Sequence, residues 1–420
     1  MRRYFGTDGV RGIVGRDLTP ALVERLGRAV TLWQGGGAVL IGRDTRASGR
    51  ELERAFASGV ASAGGNAMLA GVLPTPAVAL LALDLGAVIS ASHNPPEYNG
   101  VKLFDGDGQK LTDEAEEQIE ALLGEAPRNA DEGRIDNIDI VHGSYVDHVI
   151  ERFGEDLEVR IGVDCANGAY SGIAPSAFER LGARVTAIGD KPDGTNINVG
   201  CGATDLSALQ QLVTSEGLDL GVAFDGDGDR MLAVDELGHA VDGDQILAVL
   251  ALELGVDLVA VTTMANLGLH RLLEERAIRV VTTDVGDRYV LEALRREGGV
   301  LGGEQSGHLI YLDGHVTGDG LVAALLLCRA LRGRKLSEAV AVMERFPQVK
   351  ENVRVTVKEL TPAILARVDE TNGALAGRGR VLVRPSGTEP VVRVLAEAEN
   401  EEDAQKLCGT IASLVSTELG

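Results

Sequence analysis

The sequence predicts an α/β protein: three similar α/β domains with mixed sheets, followed by a smaller C-terminal α+β domain. Short apolar runs rich in β-branched residues alternate with amphipathic stretches, the pattern of strands covered by helices. This alternation restarts three times, which places domains at 1–150, 151–241 and 242–346. Beyond Pro347 the order changes to strands interleaved with two long helical stretches, a fourth domain at 347–420. A chain of 420 residues agrees with such a division, since ordinary domains hold roughly 100–200 residues.

Taken in order, YFGTDGVRG at 4–12 is a glycine-punctuated loop carrying Asp8 and Arg11. Thr19 and Pro20 supply an N-cap and a first-turn proline for an amphipathic helix to about Trp33. A strand at 39–42 leads into RDTRASG, where Ser48 is placed to cap a helix over 50–63. Next come a strand at 67–71, a turn at 74–76, a helix to about Leu85, an apolar strand at 87–89 and an acidic helix at 112–123. The second domain has strands at 160–164, 184–188 and 218–224 and a helix at 174–181. In the third, strands at 258–262, 279–283 and 300–303 alternate with helices at 245–254, 267–276 and 320–331. The tail carries strands at 351–357, 379–384 and 391–397 and helices at 362–374 and 401–418.

Hydrophobic residues make up 45% of the chain, enough for several cores, and 54 glycines point to many tight turns and loops that approach ligands. The balance of 40 basic to 63 acidic residues gives a net charge of -23, which as a whole repels nucleic acid and anionic membranes. An anionic substrate must then be held by local clusters of Arg, Lys and backbone N–H. No secretory signal or membrane-spanning run is evident, and Cys165, Cys201, Cys328 and Cys408 have no paired spacing. A cytoplasmic protein is expected, without a disulfide framework or a zinc site.

The chain is organised around ISASHNPPEYNGVKLF at 89–104, and within it the hydroxyl of Ser92. Ser92 follows an apolar strand, at the strand-to-loop junction where α/β proteins keep reactive groups. Pro95 and Pro96 narrow the freedom of the loop behind it. DGDGDR at 225–230 follows another apolar strand, LGVAF, and its glycines let Asp225, Asp227 and Asp229 converge. Hard oxygens of this kind suit Mg²⁺, which keeps positions open for a phosphate oxygen. An acidic turn between strands is the bland alternative. A calcium loop fits less well, because Arg230 stands where its sharp-turn glycine is required. The similar DGDG at 105–108 lies between a short strand and a polar run and is expected to be a hairpin turn.

GEQSGH at 303–308 groups Glu304, Ser306 and His308 on a glycine-framed loop that could grip sugar hydroxyls, although a polar hairpin loop explains it equally well. RPSGTEP at 384–390 offers Arg384, Ser386, Gly387 and Thr388, with Arg393 soon after. Backbone donors and guanidinium forks together hold phosphate without a metal, and a Pro-Gly turn is compatible with that role. A serine hydroxyl alone is a weak nucleophile, and no GxSxG elbow or GxxxxGK[ST] loop is present. Ser92 gains its case from the metal loop, the phosphate nest and the cations Arg11, Lys102 and His308, which suit a serine carrying a phosphoryl group.

FGTDGVRG, SASHNPPEYNGVKLF, DGDGDR, GEQSGH and RPSGTEP, in this order and across nearly the whole chain, resemble the loops of the α-D-phosphohexomutase superfamily. VGDRYV at 285–290, Gln305 inside GEQSGH, TGDG at 317–320 and FPQVKENVRV at 346–355 are similar to its amino-sugar branch. Asp284, where a basic residue is usual, and Ala265, where serine is familiar, depart from the pattern. The resemblance implies a heart-shaped four-domain enzyme that interconverts glucosamine 6-phosphate and glucosamine 1-phosphate, for UDP-N-acetylglucosamine and cell-wall synthesis. It implies that Ser92 is a phosphoserine, with Ser90 at a position that varies between Ser and Thr. One Mg²⁺ per chain would be held by Ser92, Asp225, Asp227 and Asp229. Arg230, Glu304 and Ser306 would bind substrate, and Arg384, Ser386, Gly387, Thr388 and Arg393 the phosphate that is not reacting. Arg11, Lys102 and His308 align with positively charged or proton-moving positions. Glucosamine 1,6-bisphosphate would be intermediate and activator, and the small C-terminal domain the mobile part.

Three readings remain open on the sequence. The first is the amino-sugar mutase, and the second a sister mutase acting on glucose or mannose phosphates. The third is of another class, a phosphosugar hydrolase or a metal-dependent binding protein without turnover. The expected partner is a small phosphosugar, with no nucleic acid and no membrane, and a homodimer stays open.

Overall fold

A computed structural model describes residues 4–6, 8–125, 132–139, 141–386 and 390–420. It divides into two compact units, residues 1–263 with 279–341, and residues 264–278 with 342–420. Among the described residues the strands form four sheets, three in the first unit and one in the second.

The first sheet runs in the order Phe5–Gly6, Gly9–Ile13, Tyr98–Asp105, Leu85–Ile89, Ala38–Arg43, Asn66–Val72, Ile135–Asn137. Leu85–Ile89 is parallel to Ala38–Arg43 and antiparallel to Tyr98–Asp105, and all five of its residues are buried. An unbroken apolar run is what a strand covered on both faces requires, and this one delivers Ser90 and Ser92 at its C-terminal end. The second sheet runs Ala240–Val241, Met231–Asp235, Leu220–Phe224, Arg160–Asp164, Arg184–Ile188, and the third Arg279–Thr283, Leu258–Thr262, Leu301–Gly303, Leu309–Tyr311. Each of the three mixes parallel and antiparallel pairs, so the predicted α/β class with mixed sheets is borne out.

Thr19 caps the helix Pro20–Gln34 as expected, its side chain accepting from Leu22 N at 3.2 Å, and Gly35 closes it with φ 88°. Ser48 does not cap Gly49–Ser62. Its backbone is already helical, and its hydroxyl instead accepts from Asn99 Nδ2 at 2.9 Å. Nor does the helix after Pro74 continue to Leu85. It ends at Leu80, because Asp84 pairs with Ala38 through both backbone (3.1 Å) and side chain (2.7 Å) and draws the chain into the sheet.

The helices Pro20–Gln34 and Gly49–Ser62 cross at two glycines. A Cβ on Gly59 would lie 1.9 Å from Glu24 O, and one on Gly27 2.2 Å from Phe56 O. Backbone cannot yield as a side chain can, so Gly59→Ala should lower the unfolding free energy by about 1–3 kcal/mol. Urea unfolding of the variant checks this, and an unchanged midpoint would contradict the close crossing.

In the second unit, Val391–Ala398 lies between Gln348–Arg354 and Gly379–Pro385, antiparallel to both, with helices Pro362–Leu375 and Glu401–Leu419. Valines 353, 381, 392 and 394 pack with Cys408, Ile411 and Val415 into its core. The helix Leu267–Glu275 also belongs to this unit. Asn266 binds Phe346 through both N–H (3.0 Å) and C=O (2.9 Å), and the fully buried Glu397 accepts from Leu267 N at 3.0 Å. Among the described residues no helix is long and apolar enough to cross a membrane, and all four cysteines are buried and unpaired with one another.

Candidate active site

Three loops converge in the first unit. Leu85–Ile89 ends at the serine loop, Leu220–Phe224 at the acidic loop, and the hairpin of Leu301–Gly303 with Leu309–Tyr311 carries GEQSGH. Met231 N donates to Gly307 O at 2.9 Å and joins the acidic loop to the GEQSGH hairpin, while the turn at 74–76 also holds the acidic loop, Thr75 N donating to Asp227 O at 2.9 Å.

Ser92 is buried and has φ 54°, a left-handed conformation that is unfavourable for a residue with a Cβ. Such a residue persists only where its surroundings over-determine it, and here they do. Its amide donates to Ser90 Oγ (2.9 Å), and that hydroxyl donates to Asp44 Oδ2 (2.6 Å). Its carbonyl accepts from Arg46 Nη2 (2.9 Å) and Asn198 Nδ2 (2.8 Å). Arg46 is itself buried, pairs with Asp44 at 2.9 Å, and reaches the carbonyls of Asn94, Pro95 and Tyr98. The prolines therefore only assist, and Arg46 is the post around which the loop is folded. The result is a fixed hydroxyl: Ser92 Oγ donates to Asp225 Oδ2 at 2.5 Å and lies 3.3 Å from His93 Nδ1. Burial, with Arg230 and Arg11 nearby, pushes the His93 pKa down to about 4, so this imidazole is neutral.

Asp225, Asp227 and Asp229 are buried, with one oxygen from each within 4.8 Å of the others. Asp225 Oδ1 accepts the N–H groups of Gly228 (3.1 Å) and Arg230 (3.2 Å), so the loop is also a turn between antiparallel strands, and the two sequence readings coexist. Asp227 Oδ2 accepts from Thr75 Oγ1 at 2.6 Å. Burial and the neighbouring carboxylates push the Asp225 carboxyl well above its usual range. Burial acts in the same direction on Asp229, but Lys102 and His308 overcome it and hold that carboxyl well below the usual range.

Lys102 Nζ lies 2.7 Å from Asp227 Oδ2, 2.8 Å from Asp229 Oδ2 and 3.3 Å from Asp8 Oδ2. Desolvation would lower its pKa; these three carboxylates instead keep it well above the ordinary lysine value. Asp227 Oδ1 and Asp229 Oδ1 are buried without a hydrogen-bond partner among the described residues. Buried carboxylate oxygens without donors are costly. Three convergent acids, two of them with an oxygen that no donor among the described residues reaches, fit a hard divalent cation with oxygen ligands.

Arg11, on Gly9–Ile13, pairs with Asp8, which also meets Lys110 at 2.5 Å; Lys110 in turn meets Asp287 of VGDRYV. His308 is buried between Asp229 (Nδ1 to Oδ1, 3.8 Å) and Asp287 (Nε2 to Oδ2, 3.6 Å). Burial alone would lower its pKa, but the two carboxylates raise it. Glu304 Oε2 accepts from Ser306 Oγ at 3.3 Å and Oε1 from Gly286 N at 3.1 Å, with Ser306 exposed. Arg230 Nε stands 4.0 Å from Asp229 Oδ1. Ser92, the three aspartates, Arg11, Lys102, Arg230, Glu304, Ser306 and His308 thus share the first unit. Arg384, Ser386 and Arg393 lie in the second, where Arg384 and Arg393 face each other across adjacent strands and Lys358 Nζ donates to Ser386 O at 2.9 Å. Gly387 and Thr388 lie outside the described residues.

Asp8, Lys110 and Asp287 were not singled out as site residues, although all stand in or beside the glycine-punctuated motifs. Arg46, Thr75 and Asn198 carry no comparable signal.

Comparison with known proteins places this geometry. Four family models described as phosphoglucomutase/phosphomannomutase match in chain order: alpha/beta/alpha domain I at 2–129, domain II at 143–238, domain III at 242–346 and the C-terminal domain at 339–414. The phosphoglucosamine mutase of Thermobifida fusca is 49% identical, covering 100% of this chain and 99% of its own length. That of Bacillus subtilis is 45% identical over 100% of both. The chain belongs to the phosphoglucomutase/phosphomannomutase family. The resemblance read from the five motifs is therefore borne out, and with it the expectation of a phosphomutase.

Two solved structures share the fold. A phosphoglucomutase/phosphomannomutase family protein of Burkholderia thailandensis superposes with TM-score 0.84 at 24% identity, covering 98% of this chain and 97% of its own. Aspergillus fumigatus N-acetylphosphoglucosamine mutase, solved with GlcNAc-6P and magnesium, superposes with TM-score 0.75 at 20% identity over 99% and 96%.

Proposed function

We propose that this phosphohexomutase interconverts glucosamine 6-phosphate and glucosamine 1-phosphate through a phosphoserine at Ser92 and a glucosamine 1,6-bisphosphate intermediate. One observation carries the reading: the Ser92 hydroxyl is hydrogen-bonded at 2.5 Å to a member of a buried acidic triad that has oxygens to spare. The choice of an amino sugar rests on the full-length similarity to phosphoglucosamine mutases.

Asp225, Asp227, Asp229 and the Ser92 phosphate would hold one Mg²⁺ per chain, which would supply positive charge to the transferring group. In the first half of the cycle a sugar hydroxyl attacks the phosphorus of phosphoserine. A sugar oxygen–phosphorus bond forms, the Ser92 Oγ–phosphorus bond breaks, and the sugar's proton passes to a basic group of the site. Lys102 and Arg11 supply fixed positive charge, while His308, held between two carboxylates, stands ready to donate a hydrogen bond or move the proton. Glu304 and Ser306 hold sugar hydroxyls beside Arg230. Arg384, Ser386 and Arg393, with Gly387 and Thr388, hold the phosphate that is not reacting. The bisphosphate turns over, and its other phosphate returns to Ser92. The work divides along the chain, with the serine loop in 1–150, the metal loop in 151–241, the sugar loop in 242–346 and the phosphate loop in 347–420.

Phosphorus NMR tests this. The protein is incubated with Mg²⁺, a trace of a hexose 1,6-bisphosphate and, in parallel, the 6-phosphates of glucosamine, glucose and mannose. An anomeric phosphate signal should grow fastest with glucosamine 6-phosphate. Faster conversion of glucose or mannose 6-phosphate would assign a sister activity, and accumulation of inorganic phosphate a hydrolase.

A further inference from the structure

Beside the acidic loop lies a buried carboxylate that no step above uses. Asp319, of TGDG, is 1% exposed and precedes the helix Gly320–Leu331. Its Oδ1 caps that helix, accepting from Leu321 N (2.8 Å) and Val322 N (3.1 Å), and also accepts from Tyr170 Oη at 2.7 Å. Its Oδ2 accepts from Tyr145 Oη at 2.8 Å and lies 3.0 Å from His315 Nε2. A helix cap needs only the two amides. The two tyrosines bring two distant segments of the chain to the same carboxylate, and His315 meets it from four residues upstream.

Of the groups around Asp319, Tyr170 and the helix start hold the backbone of the acidic loop. The Tyr170 ring packs on Phe224, centroids 4.7 Å apart, immediately before Asp225. It also fills the space over Gly228, where a Cβ would lie 2.4 Å from the ring and φ is +80°. Gly320, next to Asp319, donates its N–H to Gly228 O at 3.0 Å, and a Cβ there would come within 2.7 Å of Arg230 O. The turn between Asp227 and Asp229 is thus gripped by a ring on one side and a helix start on the other, and one carboxylate fixes both.

We propose that Asp319 is a positioning residue for the metal site, setting the convergence of Asp225, Asp227 and Asp229 through Tyr170 and Gly320 without touching them. This rests on the metal reading of the triad. Groups that orient a ligand set from outside it influence affinity strongly, because carboxylates that diverge in the free protein must be gathered again on binding.

The test is Mn²⁺ binding, followed by electron paramagnetic resonance of the free ion, to the full chain and to Asp319→Asn and Tyr170→Phe. Val60→Ala, in a core helix of the first sheet, serves as a control for mere destabilisation. Thermal midpoints are recorded in parallel. The wild type should bind Mn²⁺, and Asp319→Asn should bind it about 10-fold or more weakly. Val60→Ala should lose thermal stability and keep wild-type affinity. If Asp319→Asn does not fold, Tyr170→Phe, which keeps the ring and removes only its hydroxyl, decides in its place. Wild-type affinity in the deciding variant, or an equal loss in Val60→Ala, overturns the positioning role. Absence of Mn²⁺ binding by the wild type itself overturns the metal reading, and this proposal with it.

Discussion

Ser92→Ala is expected to abolish conversion of glucosamine 6-phosphate while leaving the protein folded. The loss should amount to several orders of magnitude, because in the proposed mechanism the oxygen removed is the one that carries the transferred group, and an adjacent base or metal cannot replace it. Stability should fall by no more than about 1–3 kcal/mol, the cost of leaving Asp225 Oδ2 without its donor. The Ser92 backbone is held through its amide by Ser90 and through its carbonyl by Arg46 and Asn198, and none of these bonds involves the hydroxyl. Ser92→Gly is a useful companion, since glycine adopts φ 54° without strain; it should be equally inactive and at least as stable as the alanine variant. Phosphorus NMR measures the turnover, and intact mass after exposure to a hexose 1,6-bisphosphate should reveal one added phosphoryl group on the wild type only. Labelling of Ser92→Ala at the wild-type level would place the phosphoryl carrier elsewhere and remove the serine from the mechanism.

The loops with chemistry were legible because each combines two local signals, an apolar strand that stops and a polar run punctuated by glycine. LGVAF before DGDGDR is the clearest case, and its strand is buried throughout. The supports of those loops were not legible, because they come from far along the chain. Arg46 meets Ser92 across 46 residues, and Thr75 meets Asp227 across 152. No periodicity in RDTR or PTP encodes such meetings. Among the described residues four helices also escape the sequence reading: Val141–Phe153, Ser207–Glu216, Asp287–Glu297 and the short Leu336–Val340. Val141–Phe153 mixes glycine, histidine and β-branched residues, so intrinsic propensity is poor, and it is kept helical by burying Tyr145, Val149 and Phe153. Asp287–Glu297 does carry a helical apolar stripe at Val290, Leu291 and Leu294, but it begins inside VGDRYV, where a functional motif and a helix start share the same residues. Strands such as Ala240–Val241 and Leu309–Tyr311 are too short to display an alternation at all.

Lys102 offers the sharpest test of how the acidic site is balanced. Its ammonium lies within 3 Å of both Asp227 and Asp229, and its side chain is 1% exposed. Lys102→Met keeps much of the stem and removes the charge, leaving carboxylates buried against one another. Breaking a buried ion pair from one side typically costs 3–5 kcal/mol, so a loss of roughly that size is expected for protein stripped with a chelator. Part of it will be relieved by proton uptake at Asp225, whose carboxyl is already pushed up by burial and by its two neighbours. A divalent cation supplies the missing charge, and binding to the folded state alone adds stability in proportion to the logarithm of its concentration over its dissociation constant. Removing a competing cation from the site should also tighten that binding. The variant should therefore gain more in thermal midpoint from Mg²⁺ than the wild type does, while phosphoryl transfer remains impaired because the metal does not replace a second positive charge beside the moving group. Calorimetry with chelator and with Mg²⁺ measures both effects. An equal Mg²⁺ shift in the two proteins would mean that the ammonium and the metal do not share the same carboxylates, and that the triad is a structural ion-pair cluster around Lys102.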